Sequence, residues 1–295
     1  MFEGVEKQER TEKVDPEEFF YREVEKLPEE LASKWIDEYE SLEDPENDGF
    51  FSRFKLFLDG RKKALSSRLE IVPGTPDYVV DQIISLSERI DKEYGNPESF
   101  LGEGRTAKVH IHPESPDICI KYIKDAETYT KTDVPIHEEF DRLRALQTFK
   151  FDGIRTPTPY FLDINGKHIY GMERIKGNTL VNIMSKPELN VELVKLAKTL
   201  DREIVLKKLT NYVKEMHSKF KITHNDLEVI NIMLDYEGNL YVIDFGKSKY
   251  EEVGEDHELY NLEDEKTLRL AIKEFFDKID IIEIPDIIDQ DNSKG

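Results

Sequence analysis

The chain has 295 residues, with 42 basic and 63 acidic side chains, a formal net charge of −21, 38% hydrophobic residues and a single cysteine. That acidity repels nucleic acid and anionic lipid, no apolar run reaches the roughly 18 residues that cross a bilayer, and Cys119 alone excludes an intrachain disulfide and most cysteine-based zinc sites. The opening "MFEGVEKQER" is too polar for a secretory leader, so a cytoplasmic protein is expected, built as one large domain or two unequal ones.

Residues 1–14 are polar and expected to form a loose terminus. Between Asp15 and about Leu42 the apolar residues Phe19, Val24, Leu27, Leu31, Trp35, Ile36 and Tyr39 fall at helical spacing. "SLEDPENDG" interrupts that pattern with Pro45 and Gly49, and a second helix is predicted from Phe50 to about Leu69. The "RKK" at 61–63 is expected to be a solvated helix end. A third helix opens at "VPGTPDYVV", with Thr75 as N-cap and Pro76 at the first position, and continues through Ile83, Leu86 and Ile90. These acidic helices carry no chemical motif and define residues 1–96 as an α-helical N-terminal extension. The stripe of Phe19, Leu31, Trp35 and Tyr39 must be buried against something: either the rest of the chain, which the extension would cap, or a protein partner that docks on it.

After Asn96 the texture changes. "SFLGEGRTAKVHIHPESPDICIKYIK" alternates as strands separated by turns, and "VPIHEEFDRLRALQTF" follows as a helix with Phe140, Leu143 and Leu146 on one face. "PTPYFLDINGKHIYGMERI" predicts two strands around "NGK". Helices dominate from Thr179 to Phe220, and another is expected at about 260–278. A β-rich lobe over 97–177 and a reduced α-rich lobe over 178–295, joined near Glu173–Gly177, make an α+β architecture.

The turn "GEGRTAKV", 102–109, sits between two predicted strands. Its glycines permit positive φ and leave backbone N–H groups uncovered, as a phosphate cradle requires, although two glycines in a hairpin are commonly just a turn. Along "ICIKYIK", Cys119, Lys121 and Ile123 share one strand face, and a lysine on a buried face needs an anion. Glu139 lies four residues before Leu143 and seven before Leu146, so it shares their inward face; Glu138 is a surface charge. A Lys121–Glu139 pair is therefore expected.

"HNDLEVINIMLDYEGNLYVIDFG", 224–246, adds Asp226, Asn231 and Asp244, with the "NLYVIDF" strand expected to bring Asp244 opposite Asn231. In order and spacing these elements resemble the protein-kinase-like superfamily over roughly residues 99–280. The resemblance implies a bilobal fold and an ATP-dependent phosphotransferase that uses Mg²⁺. It makes Gly102, Gly104 and Val109 the phosphate loop, with Ala107 where a third glycine usually stands. Lys121 and Glu139 become the strand lysine and its helix partner, Asp226 the group that orients the acceptor hydroxyl and takes its proton, and Asn231 and Asp244 the metal ligands. Met172 would be the gatekeeper, and backbone groups of Glu173 and Ile175 would meet the adenine. His224 is expected to pack and hydrogen-bond, and Lys247 and Lys249 to be solvated.

Departures narrow the family. Asn225 replaces the arginine that pairs with a phosphorylated activation loop, Glu228 stands where serine/threonine kinases carry lysine, and nothing after Asp244 reads "APE". The tail "NLEDEKTLRLAIKEFF" is similar to the minimal kinases: the RIO family and the kinase subunit of the threonylcarbamoyl-adenosine tRNA-modification complex. The expectation is an atypical minimal serine/threonine protein kinase acting on a hydroxyl, with a protein favoured over a small molecule as acceptor. Two alternatives remain open at this point: a small-molecule phosphotransferase of the aminoglycoside or choline type, and a catalytically weak kinase-fold binding module.

Overall fold

The computed structural model describes residues 15–25, 27, 29–44, 49–66, 68–87, 98–112, 115–124, 134–163, 169–250 and 257–283. The expected loose terminus, the side chains of "RKK", the third helix's reach to Ile90 and the "NGK" turn lie outside them. The chain divides into two compact units, residues 1–68 with 75–91, and residues 69–74 with 92–295. No helix among the described residues is long and apolar enough to cross a membrane.

The first unit holds α1 (Pro16–Val24), α2 (Glu29–Glu40), α3 (Phe50–Ser66) and α4 (Asp77–Ser87). Asp15 caps α1 by accepting the Glu17 N–H at 2.8 Å. The periodic run from Asp15 to Leu42 becomes two helices, α1 closing at Val24 and α2 opening at Glu29. The aromatic stripe is covered within the unit: Phe20, Val24, Leu27, Phe50 and Phe54 are buried, with Trp35 and Tyr39 packed against them. The Trp35 and Phe54 ring centroids lie 5.1 Å apart. α3 and its neighbours therefore supply what that stripe needed. The third helix starts one residue later than expected, since the Pro76 carbonyl accepts the Val80 N–H at 3.0 Å and Pro76 itself holds the cap position. The second helix stops at Ser66, and Leu69 belongs to a strand.

That strand, β1 (Leu69–Ile71), opens the second unit. It is followed by β2 (Phe100–Glu103), β3 (Ala107–His112), β4 (Ser115–Ile123), α5 (Ile136–Leu146), β5 (Lys150–Phe151), β6 (Ile154–Arg155), β7 (Pro159–Asp163) and β8 (Ile169–Glu173). Six of these strands form one sheet in the order β1-β7-β8-β4-β3-β2, antiparallel throughout. Then come β9 (Gly177–Thr179), α6 (Leu180–Ser185), α7 (Val191–Thr199), α8 (Arg202–Phe220), β10 (Ile222–Thr223), β11 (Ile232–Asp235), β12 (Leu240–Val242), β13 (Lys249–Tyr250) and α9 (His257–Ile281). A smaller sheet, β5-β6-β12-β11-β9, lies among these helices, and β10 pairs with β13. This is the bilobal kinase-like α+β fold that the resemblance implied.

One core joins the lobes. Phe140, Leu143 and Tyr170 belong to the same buried cluster as Leu209, Tyr212 and Met216 of α8, Ile232 and Val242 of the small sheet, and Leu268, Ile272 and Phe275 of α9. At the crossing point β9 lies directly on β11. A Cβ on Gly177 would meet the Leu234 carbonyl oxygen at 2.2 Å, so only glycine fits there. Asp201 caps α8 through the Ile204 N–H at 2.9 Å, and the helix ends on Lys221 at φ 58°. That reversal feeds the chain into β10 and the His224–Asp226 loop.

Candidate active site

Lys121 sits mid-strand on β4, with Val109 of β3 and Tyr170 of β8 as its cross-strand neighbours. Opposite residues in an antiparallel pair share a face, so all three point the same way. Glu139 comes down from α5 onto that face, and Lys121 Nζ donates to its Oε1 at 2.7 Å. The Tyr170 hydroxyl donates to the same oxygen at 3.0 Å. Lys121 Nζ also reaches Asp244 Oδ1 at 3.0 Å. Burial alone would lower the Lys121 pKa, but the two carboxylates outweigh it and keep the ammonium protonated well above its ordinary range. Burial pushes the Glu139 carboxyl up, with Lys121 opposing it. Lys121 holds the Asp244 carboxyl down at about 2, so that acid is ionised at neutral pH. The expected Lys121–Glu139 pair is present; Glu138 instead bonds Arg142 at 3.1 Å.

Asp226, Asn231 and Lys247 converge nearby. Asn231 Nδ2 donates to the Asp226 carbonyl at 2.8 Å and to its Oδ2 at 3.0 Å. Lys247, expected to be solvated, instead places Nζ 2.7 Å from Asp226 Oδ1. The β11–β12 register puts Val242 opposite Ile232, and the Ile243 N–H donates to the Asn231 carbonyl at 2.9 Å. Asn231 is thus opposite Ile243 and not Asp244, a shift of one residue from expectation. Asp244 lies just past the ladder at φ 62°, a left-handed conformation that Asp and Asn tolerate best.

A buried carboxylate with no sequence signature organises this loop. Asp264 on α9 is 2% exposed. It accepts the His224 N–H and the Asn225 N–H, each at 2.8 Å, and His217 Nε2 at 2.9 Å. Asn225 stands at φ 61° and its amide donates to Thr223 Oγ1 and the Lys247 carbonyl. The loop is therefore pinned through its backbone. His224 packs and hydrogen-bonds as expected: its Nε2 donates to the Ile243 carbonyl at 3.1 Å and its ring meets Phe245.

Burial pushes the His224 pKa below 6.5, against the pull of the Asp264, Asp244 and Asp226 carboxylates. With the folded pKa depressed, the neutral ring's contribution to stability is complete above about pH 6.5 and is lost as pH falls through that value. Urea unfolding should show stability declining between pH 7.5 and 5, and His224→Gln, which keeps a donor for Ile243, should flatten that slope. Identical slopes in the two proteins would contradict this account of His224.

The hinge and the glycine turn differ in detail from expectation. The Glu173 N–H donates to the Thr158 carbonyl at 2.8 Å, so only its carbonyl remains for a nucleotide. The Glu173 side chain is clamped by Arg155 and by Thr158 Oγ1 at 3.0 Å. The Ile175 carbonyl accepts the Gly177 N–H at 3.1 Å, which leaves the Ile175 N–H. Met172 is partly buried and packs against the core. Gly102 and Gly104 both lack positive φ. A Cβ on Gly102 would meet nothing within 4 Å, so these glycines keep the backbone bare and are not demanded by conformation. Lys124 ties the turn down, pairing with Glu103 and donating to the Gly104 carbonyl at 2.7 Å.

Two side chains suit a hard cation. Asn231 spends its amide nitrogen on Asp226, which leaves its Oδ1 as a ligand, and Asp244 is ionised with its side chain 46% exposed. Two protein oxygens combined with substrate phosphates are a typical Mg²⁺ donor set.

Residues 123–281, more than half of the chain, match the family model described as RIO domain. The match takes in Glu139, Met172, Glu173, Asp226, Asn231, Asp244 and Asp264, and begins two residues after Lys121. No curated protein matches the chain.

Proposed function

The chain belongs to the RIO-domain family of atypical kinases, and from that premise we propose that it is an ATP-dependent phosphotransferase, specifically a minimal serine/threonine protein kinase. One observation carries the reading. Lys121 is held between Glu139 and Asp244, which lie 18 and 123 residues away in sequence. That convergence fixes an ammonium where it can reach nucleotide phosphates, beside a carboxylate suited to their cation. A scaffold without chemistry has no need of it.

Phosphoryl transfer is mostly positioning and charge neutralisation. The Glu173 carbonyl and the Ile175 N–H would offer adenine an acceptor and a donor, while Lys121 and the bare turn at Gly102 and Gly104 would hold the phosphates. Asn231 and Asp244 would hold Mg²⁺, which would supply positive charge to offset that of the phosphates. Asp226 would orient the acceptor hydroxyl and take its proton as the oxygen bonds to the γ-phosphorus. The bond from that phosphorus to the β–γ bridging oxygen breaks, and its electron pair leaves with ADP. Each Asp226 oxygen already accepts one hydrogen bond and has a lone pair to spare for the incoming hydroxyl.

The test is label transfer from γ-labelled ATP with Mg²⁺ to a panel of protein and small-molecule acceptors. Labelled serine or threonine in a protein, or in the chain itself, is the expected outcome. Label in an aminoglycoside or choline-type alcohol alone would move the assignment to a small-molecule phosphotransferase, and no label anywhere would contradict both.

A further inference from the structure

Glu228, two residues after Asp226, is exposed, so the catalytic loop brings no cation to the transferring group. The segment after Asp244 brings one. Lys247 Nζ lies 2.7 Å from Asp226 Oδ1, with the lysine side chain 37% and the aspartate 19% exposed. Its backbone is fixed on both sides. The Asn225 amide donates to the Lys247 carbonyl at 3.3 Å, the Ser248 N–H closes a turn onto the Phe245 carbonyl at 3.0 Å, and β13 begins at Lys249, paired to β10. Lys121 is already engaged by Glu139 and Asp244. Among the described residues Lys247 is the cation paired to Asp226.

We infer that Lys247 is a catalytic residue: its ammonium is shared between Asp226 and the γ-phosphoryl oxygens and neutralises the charge that spreads over them during transfer. The assignment rests on the phosphotransferase reading above. The geometry leads there in two steps. An acceptor hydroxyl held by Asp226 lies within about 3 Å of that carboxylate, and its oxygen must come within about 3.5 Å of the γ-phosphorus to react. The γ-oxygens are then within reach of an ammonium on a flexible four-carbon stem that already touches Asp226. Lysine has three donors; Asp226 uses one, and two remain for phosphate. Lys247 exchanges no proton or electron pair in the step; it donates hydrogen bonds only. The charge that Glu228 does not supply thus enters from the residue directly after Gly246.

A purely structural ion pair would not distinguish ATP from ADP, and that comparison is the test. Full-length wild type, Lys247→Met and Lys247→Arg are titrated with Mg·ATP and with Mg·ADP, beside thermal unfolding to confirm that each is folded. Mg·ADP reports the nucleotide site without the γ group. Lys247→Met should leave Mg·ADP affinity unchanged and lower Mg·ATP affinity about tenfold, the lower end for one charge-assisted hydrogen bond. Lys247→Arg should recover part of that loss. An ATP-to-ADP affinity ratio unchanged by Lys247→Met overturns the assignment, whether both affinities hold or both fall. A wild type that binds neither nucleotide overturns the phosphotransferase reading and this assignment with it. The Mg·ADP arm separates that failure from one confined to Lys247.

Discussion

Asp226→Asn is expected to keep Mg·ATP affinity near that of the wild type while lowering phosphoryl transfer by about 10²–10⁴-fold, the range for loss of a positioned general base. The split follows from placement. On the proposed reading Asp226, which Asn231 and Lys247 bond, would face the acceptor, whereas Lys121 and Asp244 would face the nucleotide. Single-turnover transfer from labelled ATP beside a binding titration measures it. Wild-type transfer by the variant would show that another group takes the proton.

Asp264→Ala should be the most damaging substitution for the fold of the second unit. It removes the acceptor of two loop N–H groups and of His217 at a position that is 2% exposed. Breaking a buried charged network of this kind costs about 3–5 kcal/mol. Burial opposes the charge on Asp264, yet the His217 hydrogen bond and the His224 N–H hold its pKa below 3.8. With the folded pKa depressed, its stabilisation is complete above about pH 4 and is lost as pH falls below that. Urea unfolding of wild type and variant at pH 7 gives the difference directly; a loss under 1 kcal/mol would mean that the loop does not depend on this carboxylate. Asp264 accepts the backbone N–H of Asn225, which stands at φ 61°, so transfer should fall together with stability.

The parts of the site that sequence exposes are those in which one side chain answers another at a regular period. Alternation along β4 put Lys121 on the buried face, and the helical period put Glu139 opposite it. The spacing of Asp226 and Asn231 likewise survives into their hydrogen bond. Asp264 is not legible because two of its three partners are backbone N–H groups, which have no residue identity, and because it is one acid among 63. A lysine after a glycine is ordinarily solvated, and only the turn at Phe245–Ser248 brings Lys247 back to Asp226.

The fold shows the same division. β1 leaves no signature in the sequence because a three-residue strand has too short a pattern, and its partner, Phe161–Asp163, lies some ninety positions away. The one-residue error between Asn231 and Asp244 came from the hairpin loop. The Asp235 N–H donates to the Asn239 carbonyl at 3.0 Å, which fixes Leu234 opposite Leu240; alternation alone does not specify that register.

If Lys121, Asn231 and Asp244 form a metal–nucleotide site, thermal unfolding should respond to Mg·ATP. At 100 times its Kd the ligand should stabilise the fold by about 2.7 kcal/mol. The shift should shrink when EDTA removes Mg²⁺ and vanish in Asp244→Ala. A wild type whose unfolding is unmoved by millimolar Mg·ATP, or an Asp244→Ala variant that responds as the wild type does, would contradict the account.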